Sequence, residues 1–493
     1  MIRNIFIITL AVIHIFSLSS RADETEEIRD ILYLSIEDVS ALALYNNLDI
    51  QIARLDAYIK RADDMITQSI FDTILSGHIR YTDDQLGRTS TIFGSKAITS
   101  EKNIGLEKKL PTGTTLGIEA EDVRSFSNST FASLNPSHDV SLEFSIKQSL
   151  GKNFFGLIDR GDVKITKLQI KASDYSSLGK IEQYLSSAQK AYWKLVLRKE
   201  ELRIKKEMLE KAQELASIYK NKYSVGLVED PEIFAIDTLV LKRESDLLTA
   251  YDLLNLAGDD LLLEINADDE SFDMDIRTED ELLFLPEKKD LIQALKIAID
   301  NRRDYKEEKV HLEKKDINLE MKKNNLWPEI DLDASFKRNG VDSNFGTAAK
   351  LIGEEDNPES FIGISFSLPL ENRDARGKLK QAQLEKAKQI VLLKKVEKKI
   401  VSELHDKVKQ VNIAIGKTIT SKRIVSLEAK KLAAENLRFG FGRSDSDTLI
   451  SYHEDVLNAK LSLVQSIYDY QEKLIDLDVA CNTLLDKYWK DEL

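Results

Sequence analysis

The sequence predicts a mainly helical protein in which two-faced β-strands alternate with very long helices, in a unit that occurs twice. Three observations support this prediction. The segment 161–225 contains no proline and a single internal glycine, Gly179. Several other segments alternate strictly between apolar and polar residues, which is typical of strands. The same order of elements then returns in the second half of the chain.

The segment 161–225 is predicted to form one long coiled-coil helix. Its apolar residues recur at alternating steps of three and four, from Leu178 and Ile181 to Tyr219 and Tyr223. Lysine, glutamate, glutamine and arginine fill the other positions, as they do around a coiled-coil seam. At about 1.5 Å per residue the helix would be about 90 Å long, far longer than a globular domain requires. Such a helix is typical of a strut or of the wall of a tube.

The other elements follow from similar patterns. The first helix is expected to begin after Ser35, because a serine at this position accepts a hydrogen bond from the first turn. Helices are predicted at 34–68, 231–263, 290–325, 377–438 and 448–488. Strands are predicted at 75–82, 140–147, 330–337 and 362–368, with a further hairpin at 104–122.

The order helix, strand, strand, long helix, break and helix occurs twice. Residues 298–304 echo residues 43–49, and each long helix ends at a glycine, Gly226 or Gly442. A duplication of this kind is a strong indication of architecture. The hairpin at 104–122 has no counterpart in the second half, and whether it joins the other strands stays open. The chain is divided into a signal peptide at 1–22, a first repeat at 23–265, an acidic linker at 266–289 and a second repeat at 290–493.

Composition argues against several classes of function. The 493 residues carry a formal net charge of −14, which is unfavourable for binding nucleic acid. The single cysteine, Cys481, rules out internal disulfides and cysteine-rich zinc sites. The histidines lack zinc-ligand spacing, and no phosphate loop, nucleophile elbow or catalytic dyad stands out. We therefore expect no catalytic, cofactor-binding or metal-binding residues, and a protein that is not an enzyme.

The N-terminus is predicted to be an export signal. Arg3 supplies a positive charge, residues 5–16 are apolar, and a cleavage site follows at 20–22. The apolar run is too short to span a bilayer, and no later run approaches the required length. An exported chain of this kind would cross a membrane with strands, because the backbone polar groups must all be satisfied there.

Two-faced strands of this kind need partners, because a sheet edge exposes unpaired backbone groups. Four strands in one chain cannot enclose a pore. Several copies that each contribute four strands can do so, and closed cyclic symmetry is the usual arrangement. The seams of the long helices also need neighbouring helices. The expected assembly is a tube, with a short β-barrel in the membrane and a long cylinder of helices outside it.

This pattern resembles the TolC family of outer-membrane efflux proteins over almost the whole mature chain. The resemblance rests on the opening helix 36–50, on the strand-to-helix passages 140–161 and 361–377, on the helix breaks 223–227 and 438–442, and on residues 455–459 beyond the second break. It implies a trimer in which a twelve-stranded transmembrane β-barrel is continued by an α-barrel tunnel of twelve helices. It also implies a location in the outer membrane with a periplasmic extension.

The resemblance further implies a function and partners. The chain would be the outer-membrane channel of a tripartite efflux or type I secretion system, passively conducting drugs, small molecules or polypeptides. Its partners would be a periplasmic adaptor, also called a membrane fusion protein, and an inner-membrane pump of the RND, ABC or MFS class. The helix breaks would be the periplasmic tips where the adaptor docks, with Gly226, Leu227, Gly442 and Arg443 at the contact.

Two aspartates near the second break are candidates for a tunnel constriction. Family members often carry acidic constriction residues on the helix after the tip glycine, whereas Asp445 and Asp447 fall within the tip turn. Three copies would bring six carboxylates to the tunnel mouth, where they would attract cations. The alternative is that both aspartates serve turn and N-cap chemistry at a helix start. The sequence leaves both interpretations open.

A second class of function is a periplasmic coiled-coil adaptor or scaffold protein. Such a protein would also need long helices. It would contain one helical hairpin flanked by compact, glycine-rich β domains, whereas this chain carries two copies of a strand-and-long-helix unit. The duplication favours the channel. The pattern does not identify the transported substrate.

Overall fold

The structure is a computed structural model that describes residues 31–89, 92, 94–354, 357–441, 443 and 446–489. The predicted signal peptide lies outside these residues. The helices are α1 Ile36–Asn46, α2 Leu48–Gln68, α3 Leu157–Ser224, α4 Asp230–Glu264, α5 Leu291–Asn301, α6 Arg303–Asn324, α7 Phe345–Glu354, α8 Arg373–Gly440, α9 Ser446–Cys481 and α10 Leu484–Tyr488. The strands are β1 Ile31–Leu34, β2 Thr73–Asp84, β3 Ala97–Lys109, β4 Thr114–Ser127, β5 Ser137–Ser149, β6 Asp275–Thr278, β7 Glu329–Asp342 and β8 Pro358–Ser367.

The helices α3 and α8 dominate the molecule, with 68 residues each. At about 1.5 Å per residue, each is about 100 Å long. The predicted seam of α3 is buried from Ile181 to Tyr219 except at Leu209, which is half-buried, and Tyr223 at its end is exposed. In α8, Leu404 and Val411 of the predicted seam are fully buried. Within the described residues, no helix combines the length and the apolar character needed to span a membrane.

Two predicted helices are each divided by a bend. The helix expected at 34–68 is split into α1 and α2 at Asn47, and the helix expected at 290–325 is split into α5 and α6 at Arg302. The two bend residues have nearly the same backbone angles, φ −57° and ψ 125° for the first and φ −53° and ψ 116° for the second. The Asn47 side chain caps α2 by accepting a hydrogen bond from the Ile50 N–H at 3.0 Å. The matching bends therefore support the duplication.

The first helix begins where it was predicted to begin, whereas the last helix differs from the prediction. Ser35 is the N-cap of α1, as predicted, because its side chain accepts a hydrogen bond from the Asp38 N–H at 3.1 Å. The last helix, expected over 448–488, is instead divided into α9 and α10. The division falls at Asn482, whose φ of +53° lies in the left-handed region that asparagine tolerates.

Six strands form one antiparallel sheet in the order β2-β3-β4-β5-β7-β8. The sequence left open whether the hairpin predicted at 104–122 joins the four other strands, and the structure places it in their sheet as β3 and β4. These two strands lie in the sheet between β2 and β5. A twelve-stranded barrel built from three copies no longer follows from this strand count. The sequence pattern located the hairpin but did not identify the strands on either side of it, because strand neighbours are determined by pairing between segments that are distant in the sequence.

One face of the sheet, the apolar face, carries a belt of apolar residues that crosses all six strands, and the other face is mostly polar. The continuous register from β2 to β8 aligns the apolar residues of neighbouring strands, and the apolar face also carries the charged pair Lys102 and Asp122. Most side chains of the apolar face are exposed. A contiguous exposed apolar surface is typical of a site that is covered by a membrane or by another molecule. The apolar face carries Leu75, Ile79, Ile104, Leu106, Leu116, Ile118, Phe144, Ile146, Phe336, Ile362, Ile364 and Phe366.

Three elements, β1, β6 and α7, were not expected from the sequence. The strands β1 and β6 form a short parallel pair, so the acidic segment 266–289 contributes a strand beside the start of the chain. The helix α7 lies in the connection between β7 and β8, where a loop was expected. It packs against β7 at Gly340, where an added Cβ would lie only 2.1 Å from the Ala348 carbonyl oxygen. Glycine at this position therefore permits the close approach of α7 to the sheet.

A buried ion pair connects the two repeats with the C-terminal helix. The Glu182 side chain on α3 is fully buried and pairs with Arg303 at the start of α6. It also accepts hydrogen bonds from the N–H groups of Leu484 at 2.9 Å and Leu485 at 3.2 Å. Burial raises the pKa of Glu182, whereas Arg303 and these two N–H groups lower it. The carboxylate therefore holds α3, α6 and α10 at one point.

Candidate functional site at the helix tips and on the polar sheet face

The turn between α3 and α4 forms the first helix tip. Gly226 has a φ of +75°, which lies in the left-handed region that glycine adopts without strain. The Leu227 N–H donates to the Lys222 carbonyl at 2.9 Å, which is the six-to-one bond of a Schellman C-cap. Asp230 begins α4 and accepts a hydrogen bond from the Tyr223 hydroxyl at 2.6 Å. The turn is thus closed by hydrogen bonds within the tip.

The turn between α8 and α9 is closed by the same kind of hydrogen bond. The Arg443 N–H donates to the Arg438 carbonyl at 2.9 Å, again a six-to-one bond across the end of the helix. Arg443 therefore occupies the position of Leu227, and position 442 corresponds to Gly226. Gly442 itself lies outside the described residues. The two predicted tips are equivalent in their closing hydrogen bond.

The two tips pack side by side into one unit. Leu215 and Tyr219 of α3 are buried against Ile236 of α4 and Leu449 of α9. In addition, the Lys222 ammonium lies 4.2 Å from the centroid of the ring of Phe439, which connects α3 with α8 through a cation–π contact. Four helix ends therefore present a common surface.

That surface carries exposed apolar side chains, here called the apolar tip patch. Its members are Val225, Leu227, Leu437 and Phe441, which are between 67% and 78% exposed. Large apolar side chains clustered at this exposure are typical of an interaction site. Of these residues the sequence analysis selected only Leu227. The signal for the others was present, since apolar residues flank both glycine breaks.

The other residues expected at the tip are placed as follows. Arg443 is exposed, beside the apolar tip patch. Asp447 is exposed in the first turn of α9, where the helix dipole favours a carboxylate. Asp445 lies outside the described residues. An acidic ring would join several copies, so that interpretation stays a prediction.

The polar face of the six-stranded sheet is strongly acidic. Its acidic residues are Asp84, Glu101, Glu107, Glu119, Glu121, Asp139, Glu143, Glu329, Asp331, Asp333 and Glu359, and its basic residues are Arg80, Lys109, Lys147 and Lys337. Eleven acidic and four basic side chains leave a net charge of −7 on this face. A surface of this charge attracts cations and repels anions.

The metal-binding and nucleophilic side chains of the described residues are arranged as follows. In this part of the chain, no three His, Cys, Asp or Glu side chains are grouped closely enough to hold a metal ion. The Cys481 thiol is buried, and this burial raises its pKa to about 11. The thiol is therefore protonated at neutral pH, which makes it a poor nucleophile.

Comparison with known proteins identifies the fold. No protein-family model matches the chain, and no curated protein matches it. Among solved structures, it is similar to CusC, with a TM-score of 0.66 and 15% identity over 90% of this chain and 91% of that chain. It is also similar to the Campylobacter jejuni CmeC outer membrane channel, with a TM-score of 0.60 and 16% identity over 91% of this chain and 85% of that chain. The Neisseria gonorrhoeae MtrE outer membrane channel, in its open state, has a TM-score of 0.65 and 16% identity over 91% of this chain and 89% of that chain.

These similarities define the class of fold. The chain has the fold of these outer-membrane channels. This is the TolC-type fold that the duplicated sequence motifs indicated. The match extends over nine-tenths of the chain, so it includes both repeats.

Proposed function

We propose that this protein is an outer-membrane channel with a periplasmic helical extension, and that it conducts solutes passively. The observation that supports the proposal is the six-stranded sheet with an exposed apolar face, joined directly to helices about 100 Å long. Lipid would cover the apolar face, and the polar face would line a water-filled passage. Structural similarity to outer-membrane channels supports the same assignment.

Assembly into a trimer is part of the proposal. The sheet is open, so the outer edges of β2 and β8 expose backbone groups that lipid cannot satisfy. A closed ring of identical copies pairs all such edges. The long helices of the three copies would then form a tunnel of twelve helices in the periplasm.

A periplasmic adaptor protein is the proposed partner at the tip. The apolar tip patch is the part of the helical region that combines large exposed apolar side chains with two rigid turns. An inner-membrane pump of the RND, ABC or MFS class would supply the driving force. The cargo would be drugs, other small molecules or secreted polypeptides, as in efflux or type I secretion systems.

Fractionation and bilayer recording test the proposed function. The full chain should be recovered in the outer-membrane pellet as trimers that dissociate on heating, and should give ion currents across planar bilayers. Release with the soluble periplasm would instead favour the coiled-coil scaffold. A single chain that stays monodisperse in detergent and carries no current would overturn the channel.

Adaptor docking is tested by changing the apolar tip patch. Replacing Leu227 and Phe441 together with aspartate should abolish co-purification with the cognate adaptor, because apolar contact area is replaced by charge. Leu227→Met keeps the apolar character and is the matched control. Gly442→Glu should likewise abolish transport while insertion into the membrane persists. Loss of insertion in these variants would assign the tip a purely structural role.

The acidic constriction is tested separately. Replacing Asp445 and Asp447 with asparagine removes up to six negative charges from a trimer. If the two residues form a ring, single-channel conductance and cation preference should change. Unchanged values would favour turn and N-cap chemistry instead.

A further inference from the structure

We infer that β3 and β4 are wall strands of the membrane barrel, so that three copies close a barrel of eighteen strands. This inference rests on the proposed function, because it takes a trimeric membrane channel as its starting point. It goes further by specifying the width and the lining of the pore. Four observations on the sheet and its attached helices support it.

The first observation is that the apolar belt continues through the inserted hairpin. On β3, Leu106 is directly opposite Ile118 of β4, and Ile118 is in turn opposite Phe144 of β5. One step along, Leu116 of β4 is opposite Ile146 of β5. All five side chains are exposed by 38–50%. A hairpin outside the wall would stand in water, where an exposed apolar row of this kind is unfavourable.

The second observation is that the β3–β4 turn is fixed to the helical region. Lys109, at the end of β3, forms an ion pair at 2.9 Å with Asp159 in the first turn of α3. The Gln148 side chain of β5 donates to the Thr112 carbonyl in the turn at 3.2 Å. A Cβ built on Gly113 would lie 2.7 Å from the backbone nitrogen of Gly156, so the two backbones approach closely. The hairpin is therefore seated at the same edge of the sheet as the strand-to-helix junctions.

The third observation is a match in width between the strands and the helices. The helices that join the sheet lie side by side in the order α2, α3, α6 and α8, connected by the ion pairs Arg61–Asp174, Lys164–Glu313 and Lys315–Glu385. At about 8–10 Å between axes, four helices occupy about 32–40 Å of circumference. Strands about 4.8 Å apart and tilted by about 40° occupy about 6 Å each, so six strands span about 38 Å and four span about 25 Å. The six strands of each copy therefore occupy about the same circumference as its four helices, so the barrel and the helical tunnel match in width.

The fourth observation concerns closure. Because β3 and β4 separate β2 from β5, the strands with a free outer edge in the described sheet are β2 and β8. Pairing of β8 from one copy with β2 of the next closes the ring with all six strands of each copy. A barrel of eighteen strands would be about 36 Å across between backbones, compared with about 24 Å for twelve. The hairpin would also bring Glu101, Glu107, Glu119 and Glu121 to the lumen.

Counting strands by electron cryomicroscopy of the trimer in lipid nanodiscs tests the inference directly. The full chain should give eighteen strands. The matched variant lacks residues 87–134, so that four residues, Gln85, Leu86, Asn135 and Pro136, connect β2 to β5. With this length, Asp84 faces Ser137 and the apolar residues of the two strands stay on one face. The variant should give twelve strands and a barrel narrower by about 12 Å.

Cysteine labelling in intact outer membranes provides a second test that does not depend on the deletion. A water-soluble maleimide should label Asn103→Cys and Glu119→Cys on the polar face at least about tenfold faster than Ile104→Cys and Ile118→Cys on the apolar face. The same contrast between Glu143→Cys and Phe144→Cys on β5 is the internal control.

The outcomes separate this inference from the proposed function. Eighteen strands, with alternating labelling on β3 and β4, support the inference. Twelve strands in the full chain, or equal labelling of both hairpin faces while β5 still alternates, would overturn it and leave the channel intact. Absence of a trimer and of any β5 alternation would overturn the proposed function itself.

Discussion

The buried ion pair between Glu182 and Arg303 gives the sharpest prediction about stability. The side chain of Glu182 is fully buried and that of Arg303 is only 10% exposed. Replacing Arg303 with methionine removes the counter-charge and leaves a buried carboxylate whose remaining hydrogen-bond donors, on Asn482, Leu484 and Leu485, are uncharged. Removing one partner of a buried pair costs about 3–5 kcal/mol. With an unfolding entropy of about 2.1 cal/mol/K per residue, 493 residues give about 1 kcal/mol/K, so Tm should fall by about 3–5 °C.

The pH dependence of this loss identifies its cause. Burial already holds the pKa of Glu182 above the ordinary value of 4.5, and loss of Arg303 should raise it further. An acid with a raised pKa in the folded state binds its proton more tightly when folded, so stability falls as pH rises from about 4.5 through the folded pKa. The destabilisation by Arg303→Met should therefore be small near pH 4.5 and largest at neutral pH and above.

The assay is differential scanning fluorimetry of the purified protein between pH 4.5 and pH 8. The matched control is the double variant Glu182→Gln, Arg303→Met. The glutamine carries no charge, and its carbonyl still accepts hydrogen bonds from the N–H groups of Leu484 and Leu485. Much of the lost Tm should be recovered, and the pH dependence should disappear. A pH-independent loss of the same size in both variants would refute the electrostatic reasoning and indicate lost packing.

Two further predictions concern the thiol and the polar sheet face. Because burial raises the pKa of Cys481 to about 11, the thiol of the native protein at pH 7.5 should react with maleimide far more slowly than the thiol of the unfolded chain. Mass spectrometry would measure the two rates. Equal rates would mean that the C-terminal end of α9 opens readily. Replacing Glu119 and Glu121 with glutamine removes two of the seven net negative charges of the polar face in each chain. The ratio of cation to anion permeability should fall by about twofold in bilayer recordings. The control variant Ser141→Ala, on the same face, should leave this ratio unchanged. An unchanged ratio in the glutamine variant would place Glu119 and Glu121 away from the ion path.

Much of the fold was predictable because it follows from the spacing of apolar residues along the sequence. The long helix α3 was expected over 161–225 and occupies Leu157–Ser224. The prediction succeeded because apolar residues that recur every three or four positions lie on one side of an α-helix and on no single side of a strand. The strands were located for the same reason, since a period of two puts one set of side chains on one face. Both tip turns were located by a glycine break in the sequence, and Gly226 adopts the left-handed backbone that glycine permits at a helix end.

The sequence did not locate the bends at Asn47 and Arg302, because the apolar period continues through them. Each bend is specified by a few hydrogen bonds from side chains to backbone, which leave no repeat in the sequence. The apolar tip patch was missed for another reason. Exposed and buried apolar residues look alike until the packing of four helix ends determines which of them are covered.

The sequence alone determined the alternation, the duplication and the glycine breaks, and through them the class of fold. The tertiary structure decided how many strands share one sheet. Strand partners are chosen by long-range pairing, so β3 and β4 were recognised as a hairpin but could not be assigned neighbours. It also decided that Glu182 meets Arg303, residues far apart in the chain whose attraction becomes strong only when folding removes water from both.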